Sequence, residues 1–352
     1  MPQPALPSNS QVPIANLLRI AFLAGGLLEE LEDCEASHDE GKSFDELLQA
    51  MLARAAERIR LRGFERGYSH AEEITTRPRG RIAVSQSIAA CTIPMRRLAC
   101  AFDEFGPDTP HNRVLKACAR TLVRCEESSA HQDSLRALVR EMREVSDVAL
   151  SRRTLRALPR SIATRRYRVV RFIARLLVDA GQPDARIGTE WARRLLQDET
   201  AMRRIFELFV RRFGSAHKPA GIAVRPSRFL WSASPQKLVP TLNTDVTVKA
   251  HGWTRIIECK YMRSHATHTQ HGTEMFHPEH LRQIFAYLSR ARDTAQSPIA
   301  LDGVVLYPAF DAAASHTVDL GEFRVRVVQL SLDQPWSALC DDLRGLLFAR
   351  GS

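Results

Sequence analysis

The stretch "TLNTDVTVKAHGWTRIIECKYM" (residues 241–262) predicts two short β-strands joined by a turn at the His-Gly pair. Side chains two positions apart on a strand point to the same face, so Glu258 and Lys260 project together. Asp245 opens the first strand, and the hairpin folds it back beside them. Two carboxylates and an ammonium at one point form a site for a hard divalent cation and a phosphate.

The lysine at position 260 is informative because arginine is the usual basic residue of this chain. Only six of the 50 basic residues are lysines. An ammonium is compact and can shift its pKa, whereas a guanidinium stays charged. The pattern therefore predicts that Asp245 and Glu258 bind Mg²⁺, with Mn²⁺ as an alternative, and that Lys260 positions or activates water. The backbone carbonyl of Cys259 is a further candidate ligand. The competing interpretation is a solvated hairpin with a cross-strand ion pair.

The segments around the hairpin favour the catalytic interpretation. The helix predicted in "PEHLRQIFAYLSRAR" (278–292) carries Gln283 and Tyr287 four positions apart, hence on one face. We expect the amide to orient the water or the phosphate and the tyrosine to support that helix face. A strand, "LDGVVLYP", follows, and a helix, "GTEWARRLLQDETAMRRIFELFVRRF", precedes the hairpin. The order is helix, three strands, helix, strand, as in the core of the PD-(D/E)xK nuclease fold.

Several stretches along the chain resemble the McrC family, the nuclease subunits of 5-methylcytosine-dependent restriction systems. They are "VPIANLLRIAFLAGGLLEELE", "RGFERGYSHAEEITTRPRGRI", "FDEFGPDTPHNRVLKA", "IFELFV", "TDVTV", "IIECKY", "HGTEMFHPEHLRQIFAYL" and "GVVLYP". Their order and spacing carry the resemblance. Glu258 stands where Asp is expected in the best-known member, and the motif accepts either carboxylate.

The resemblance implies a mixed α+β protein of two domains. Residues 1–164 would be mainly helical with short strands, and would insert as a finger into the pore of an McrB-like AAA+ GTPase ring. Residues 165–352 would be the PD-(D/E)xK endonuclease domain with the core order αβββαβ. The chain would cleave double-stranded DNA carrying modified cytosine, with Mg²⁺, and would stimulate GTP hydrolysis by the ring. GTP would be bound by the partner, since the chain has no GxxxxGK[ST] phosphate loop.

Two groups of residues have open roles at this point. Arg77, Arg79 and Arg81 in "TRPRGRI" are candidates for partner contact, although an arginine-rich turn is also simply solvated. Glu207 in "AMRRIFELFVRRF" is either an outer carboxylate of the metal site or an ion-pair partner of Arg203 or Arg211.

Composition and cysteine usage suit a cytoplasmic protein that faces nucleic acid. The formal net charge is +10, which favours polyanionic partners. The seven cysteines are scattered without a CxxC pair, as expected in a reducing compartment. No segment has the length and apolarity of a transmembrane helix, so no membrane association is expected. Five histidines in "SHATHTQHGTEMFHPEH" suggest zinc, but no suitable cysteine lies nearby, and a loop bordering the active site is favoured.

Two other functions fit part of the same pattern. One is a non-catalytic subunit that assembles and activates the NTPase ring. The other is an autonomous RecB-like repair nuclease. The complete set of acidic, lysine and glutamine residues argues against the first, and the resemblance along the whole chain argues against the second.

Overall fold

The computed structural model describes most of the chain. The described residues are 14–35, 44–125, 130–159, 163–181, 187–231, 238–262, 266–268, 274–295, 299–309 and 313–349. The α-helices are α1 (Ile14–Gly25), α2 (Leu28–Glu35), α3 (Phe44–Leu61), α4 (Val84–Ala89), α5 (Pro110–Leu122), α6 (Ala130–Glu141), α7 (Arg152–Arg156), α8 (Ala163–Arg166), α9 (Arg168–Ala180), α10 (Ile187–Gln197), α11 (Glu199–His217), α12 (Pro278–Asp293) and α13 (Trp336–Phe348).

The strands fall into one six-stranded sheet and three smaller ones. They are β1 (Gly67–Thr75), β2 (Arg81–Ile82), β3 (Leu98–Gly106), β4 (Ala223–Arg225), β5 (Arg228–Phe229), β6 (Leu242–Asn243), β7 (Val246–Ala250), β8 (Trp253–Cys259), β9 (Ala266–His268), β10 (Glu274–Phe276), β11 (Ala300–Ala309), β12 (Ala314–Leu320) and β13 (Phe323–Ser331). The mixed α+β class predicted from the sequence is confirmed.

The chain divides into two compact units. The first, here the sheet unit, combines Met1–Phe44 with Ala192–Ser352, and the second, the hairpin unit, is Asp45–Trp191. The predicted domains, 1–164 and 165–352, differ from this division at both ends. Helix α1 packs on α11, and the Asn16 amide donates hydrogen bonds to the carbonyls of Leu332 (3.0 Å) and Gln334 (2.8 Å). Helix α9 packs on α5 within the hairpin unit.

The sheet unit is built on six strands in the order β12-β13-β11-β8-β7-β4. Strand β8 pairs antiparallel with β7 and parallel with β11. Along the chain, α11, β4, β7, β8, α12 and β11 reproduce the predicted αβββαβ order. The β12–β13 hairpin extends the sheet beyond β11. Every residue of β8 is buried, including the charged Arg255 and Glu258, since a central strand is covered on both faces.

Helix α12 packs closely on the sheet because β11 carries a glycine beneath it. A Cβ on Gly303 would stand 2.9 Å from Ile284 and 2.9 Å from Leu288, both on α12. These two side chains share a buried cluster with Ile256 of β8 and Val305 of β11. The absent side chain therefore sets the distance between α12 and the strands.

A buried ion pair joins β8 to β11. Arg255 lies opposite Asp302 in the parallel register, with Nε 2.6 Å and Nη2 2.8 Å from the two carboxylate oxygens. Its side chain is fully buried. The same guanidinium donates to the Leu346 carbonyl near the end of α13. The Arg255 side chain thus connects β8, β11 and α13. The Asp302 carboxylate compensates its buried charge, and the guanidinium donates hydrogen bonds to both partners.

The hairpin unit contains a longer ribbon than the short strands expected from the sequence. Strands β1 and β3 pair antiparallel over nine residues each, from Gly67 opposite Gly106 to Thr75 opposite Leu98. Strand β2 pairs antiparallel with β3 after the turn that contains Gly80. One face of α3 is apolar and buried: Leu48, Met51, Leu52, Ala55 and Ile59. Among the described residues, no helix combines the length and the apolarity that crossing a bilayer requires.

We predict that Gly303→Ala lowers the free energy of unfolding by about 1–3 kcal/mol, because the added methyl displaces α12. The measurement is denaturant-induced unfolding of the full chain. Gly345→Ala is the matched control, since a Cβ there meets nothing within 4 Å and alanine favours a helix. Equal stability of the Gly303→Ala variant and the parent would contradict this account of the packing.

Candidate active site

The β7–β8 hairpin brings Asp245 beside Glu258, as the sequence predicts. The turn contains Gly252 with φ 78°, a left-handed conformation that glycine adopts without steric cost. Val246 pairs with Ile257, so the residues just before β7 and near the end of β8 are neighbours. The Cys259 amide donates a 2.8 Å hydrogen bond to Oδ2 of Asp245. Main-chain pairing thus fixes the position of the first carboxylate.

Lys260 lies between the second carboxylate and α12. Its Nζ donates to Oε1 of Glu258 at 2.7 Å and to Oε1 of Gln283 at 2.8 Å. Its amide donates to the Leu306 carbonyl at 2.8 Å, which holds the chain against β11 beyond the end of β8. The ammonium is only 14% exposed, so its position is set by these contacts.

The predicted Gln283 and Tyr287 pair continues this network. Gln283 Nε2 donates to the Tyr287 hydroxyl at 2.8 Å, and that hydroxyl donates to the Asn243 carbonyl at 2.9 Å. A chain of hydrogen bonds therefore runs from Glu258 through Lys260 to α12 and back to the chain just before β7. The orientation of the Gln283 amide is fixed at both of its ends.

Burial raises the cost of ionising both carboxylates, and the charge of Glu258 adds to that cost at Asp245. Burial, and after it the charges of Glu258 and Glu207, raise the pKa of Asp245 to about 7. The hydrogen bond from Cys259 and the charge of Lys260 act in the opposite direction and lower it. Burial also raises the pKa of Glu258, and Lys260 opposes that shift. Two acids this close favour a bound cation, because a positive charge stabilises both ionised forms.

Glu258 has one oxygen that the protein does not satisfy. Its side chain is 4% exposed, and Oε2 is buried without a hydrogen-bond partner. An orphaned carboxylate oxygen is costly in a protein interior. Asp245 and Glu258 therefore fit a hard divalent cation through oxygen ligands. The described part of the chain gathers no three His, Cys, Asp or Glu side chains around one point, so further ligands would be backbone carbonyls, such as that of Cys259, or water.

Glu207 lies near the two acids but is paired elsewhere. Its carboxylate is 3.1 Å from the Arg211 guanidinium, one turn along α11. Its charge contributes to the raised pKa of both Asp245 and Glu258. Of the two interpretations open from the sequence, the ion pair is present, with Arg211 rather than Arg203 as the partner. A role as an outer ligand stays a prediction.

The sequence analysis missed a contact beside the site. His280, in the first turn of α12, has Nδ1 2.6 Å from the Tyr307 hydroxyl of β11. Tyr307 lies two residues after Val305, which pairs with Glu258, so alternation places its side chain on the face of Glu258 and Lys260. The alternation along β11 could be read from the sequence, but the pairing of Val305 with Glu258 could not. Of the histidines considered for zinc, His265 and His271 lie outside the described residues.

The arginines proposed for partner contact are all exposed in the hairpin unit. Arg79 lies 2.7 Å from Glu73 and stacks over Phe102, 3.9 Å from the ring centroid. Arg77 precedes it in the turn, and Arg81 begins β2. Their guanidinium groups are available at the surface, and their role in binding stays a prediction.

Two acids and a lysine at the ends of adjacent strands, with a glutamine from α12 beside them, form the set of residues that the sequence analysis associated with metal-dependent phosphodiester cleavage. The family profile described as "McrBC 5-methylcytosine restriction system component" matches residues 9–308. The chain therefore belongs to the family of McrBC restriction system components.

Individual relatives agree with this assignment. The chain is 24% identical over 338 residues to the "Type IV methyl-directed restriction enzyme EcoKMcrBC" of Escherichia coli (strain K12), covering 94% of this chain and 96% of that protein. It resembles the solved half-complex of Thermococcus gammatolerans McrB AAA+ hexamers with bound McrC, with a TM-score of 0.50, 15% identity, and coverage of 97% and 77%. At that identity the likeness supports the fold.

We predict that the thiol of Cys259 resists alkylation in the native chain. It is 3% exposed, and burial, followed by the charges of Asp245 and Glu258, raises its pKa, so the reactive thiolate is scarce. Exposed Cys91 is the internal control. Mass spectrometry after a short iodoacetamide pulse should find label at Cys91 and not at Cys259. Equal labelling of the two would show that the Cys259 side chain is not buried.

Proposed function

We propose that the chain is the nuclease subunit of a GTP-dependent restriction complex that cleaves DNA containing modified cytosine. The observation that carries the proposal is the buried, unsatisfied oxygen of Glu258 beside Asp245 and Lys260. Membership of the McrBC family, whose members are components of 5-methylcytosine restriction systems, points to DNA with modified cytosine as the substrate. A protein selected only to assemble a ring would have no use for two facing acids, whose pKa values are raised by burial.

The chemistry is divided among residues that are already in position. When bound by Asp245 and Glu258, Mg²⁺, or Mn²⁺ as an alternative, supplies Lewis acidity to the scissile phosphate. Lys260 positions or activates the attacking water and stabilises the negative charge that develops on the phosphate oxygens. Gln283 orients the water or the phosphate through its fixed amide. Tyr287 holds that amide and the start of the hairpin together.

We also propose that the chain acts with an McrB-like AAA+ GTPase ring in the cytoplasm. The solved relative is named as McrC bound to McrB hexamers. The family match spans the whole hairpin unit as well as the site, which favours a two-part protein over an autonomous repair nuclease. GTP binds to the partner in this scheme, and the partner recognises the modified cytosine in double-stranded DNA.

We predict that Asp245→Ala and Lys260→Ala each reduce cleavage of methylated plasmid by at least about a thousandfold, because each removes a group that stabilises the transition state. The assay contains the full chain, the ring partner, GTP and Mg²⁺. Stimulation of GTP hydrolysis should persist, since the hairpin unit is unchanged. Lys249→Ala, an exposed position on the same hairpin, and Asp319→Asn, 75% exposed on β12, are the controls. Cleavage by either active-site variant at the rate of its control would contradict the proposal.

We predict that the combined change of Arg77, Arg79 and Arg81 to alanine lowers stimulation of the partner's GTP hydrolysis by roughly threefold or more, through lost charge complementarity. Its control replaces three arginines of α7 in the same unit, Arg152, Arg153 and Arg156, which are also exposed. Titration of the ring with each variant measures the effect. If both triple variants stimulate like the parent, the turn has no role in partner contact.

A further inference from the structure

Arg203 is an exposed cation beside the site with no internal partner. It lies one helical turn before Glu207 on the same face of α11. Glu207 pairs with Arg211 instead, and Arg203 has no hydrogen bond or ion pair with any residue that the structure describes. Its charge nevertheless acts on Glu258, where it opposes the rise in pKa caused chiefly by burial.

The end of β8 lies next to this part of α11. The Tyr261 hydroxyl donates to the Leu196 carbonyl at 3.2 Å, one residue before Gln197 ends α10. Helix α11 begins two residues later, at Glu199. The contact holds the strand end that follows Glu258 and Lys260 close to the first turns of α11. Arg203, the fifth residue of α11, therefore lies in the part of the helix that adjoins this strand end.

On the α12 side, His280 is held as a neutral hydrogen-bonding group. Partial burial, then the charges of Lys260, His277 and Arg203, lower the pKa of His280 to about 4. Burial raises the pKa of Tyr307, so its hydroxyl stays protonated. The His280 Nδ1 and the Tyr307 hydroxyl share a hydrogen bond of 2.6 Å. In the tautomer whose Nδ1 accepts from that hydroxyl, Nε2 carries the proton and is a donor.

We infer that Arg203 and His280 form a phosphate-binding subsite for the DNA strand beside the Asp245 and Glu258 pair. This inference rests on the proposed function, and the substrate groups that the two residues would bind are phosphates of the DNA backbone. A phosphodiester is negatively charged, and a cation beside the acidic pair adds to the attraction that Lys260 and the bound divalent cation provide. The planar guanidinium of Arg203 offers two donors to one phosphate. His280 adds a donor without a further charge.

The neighbouring Arg204 gives a matched test of the first residue. It is also exposed and carries the same charge, but it lies about 100° around the helix. Cleavage of methylated DNA by the full chain with partner, GTP and Mg²⁺ is measured across DNA and salt concentrations. Arg203→Ala should raise KM roughly fivefold to tenfold with kcat less affected, consistent with loss of a charge-assisted hydrogen bond. The slope of log(kcat/KM) against log[salt] is negative, and it should become less negative by about 0.9 when one phosphate contact is lost.

Arg203→Lys should recover part of the loss, and Arg204→Ala should match the parent. If Arg203→Ala and Arg204→Ala have the same KM and salt slope, Arg203 is not a phosphate ligand and the inference is overturned.

For the second residue, His280→Ala and Tyr307→Phe should each raise KM. His280→Gln, which keeps a neutral N–H donor, should restore most of the affinity, whereas a merely structural role would not be rescued in this way. His316→Ala, an exposed histidine of β12, is the control, and unfolding midpoints check that each variant is folded. Unchanged KM in His280→Ala would remove His280 from the subsite.

The outcomes separate this inference from the proposed function. If the parent cleaves and Asp245→Ala does not, while the Arg203 and His280 variants behave like their controls, the nuclease assignment stands and the subsite is wrong. If the parent does not cleave with partner, GTP and Mg²⁺, both fail together.

Discussion

The hydrogen bond from the Cys259 amide to the Asp245 carboxylate fixes two acids side by side, and the chemistry of the site depends on it. Without that bond, mutual repulsion and burial would drive the carboxylates apart. With it, both acids stay buried, and burial raises the pKa of each, with the charge of Glu258 adding to the rise at Asp245. Lys260 offsets part of that cost from one side of Glu258. The remaining oxygen of Glu258 has no protein partner, which leaves a place that a cation suits and that a water molecule or a neutral donor satisfies less well.

The sheet makes this arrangement rigid. Strand β8 is paired on both sides, by β7 and β11, so its end cannot shift without breaking two ladders. Gly303 lets α12 approach closely enough for Gln283 to reach Lys260. The Arg255 ion pair ties the same two strands together near their other end. Groups held on paired strands and a packed helix keep their geometry better than groups on loops.

Local patterns in the sequence predicted the parts of the site that depend on local geometry. The turn at Gly252, the shared face of Glu258 and Lys260, and the four-residue spacing of Gln283 and Tyr287 follow from strand and helix periodicity. The αβββαβ order followed from the succession of elements. The association of α1 with the sheet unit did not, because it depends on the Asn16 contacts with residues more than 300 positions away. The β12–β13 extension and the length of the β1–β3 ribbon were missed because strand pairing depends on non-local partners. The His280 contact with Tyr307 needed the register of β11 against β8, which no local pattern contains.

The central claim is that Asp245 and Glu258 share one divalent cation, and locating that cation tests it most directly. Crystals of the full chain grown with Mn²⁺ would give an anomalous signal at each bound ion. We predict a peak between the Asp245 carboxylate and Oε2 of Glu258, and its loss in crystals of Glu258→Gln grown under the same conditions. Ordered Mn²⁺ bound only at other positions, with the two carboxylates unoccupied at saturating metal, would contradict the account.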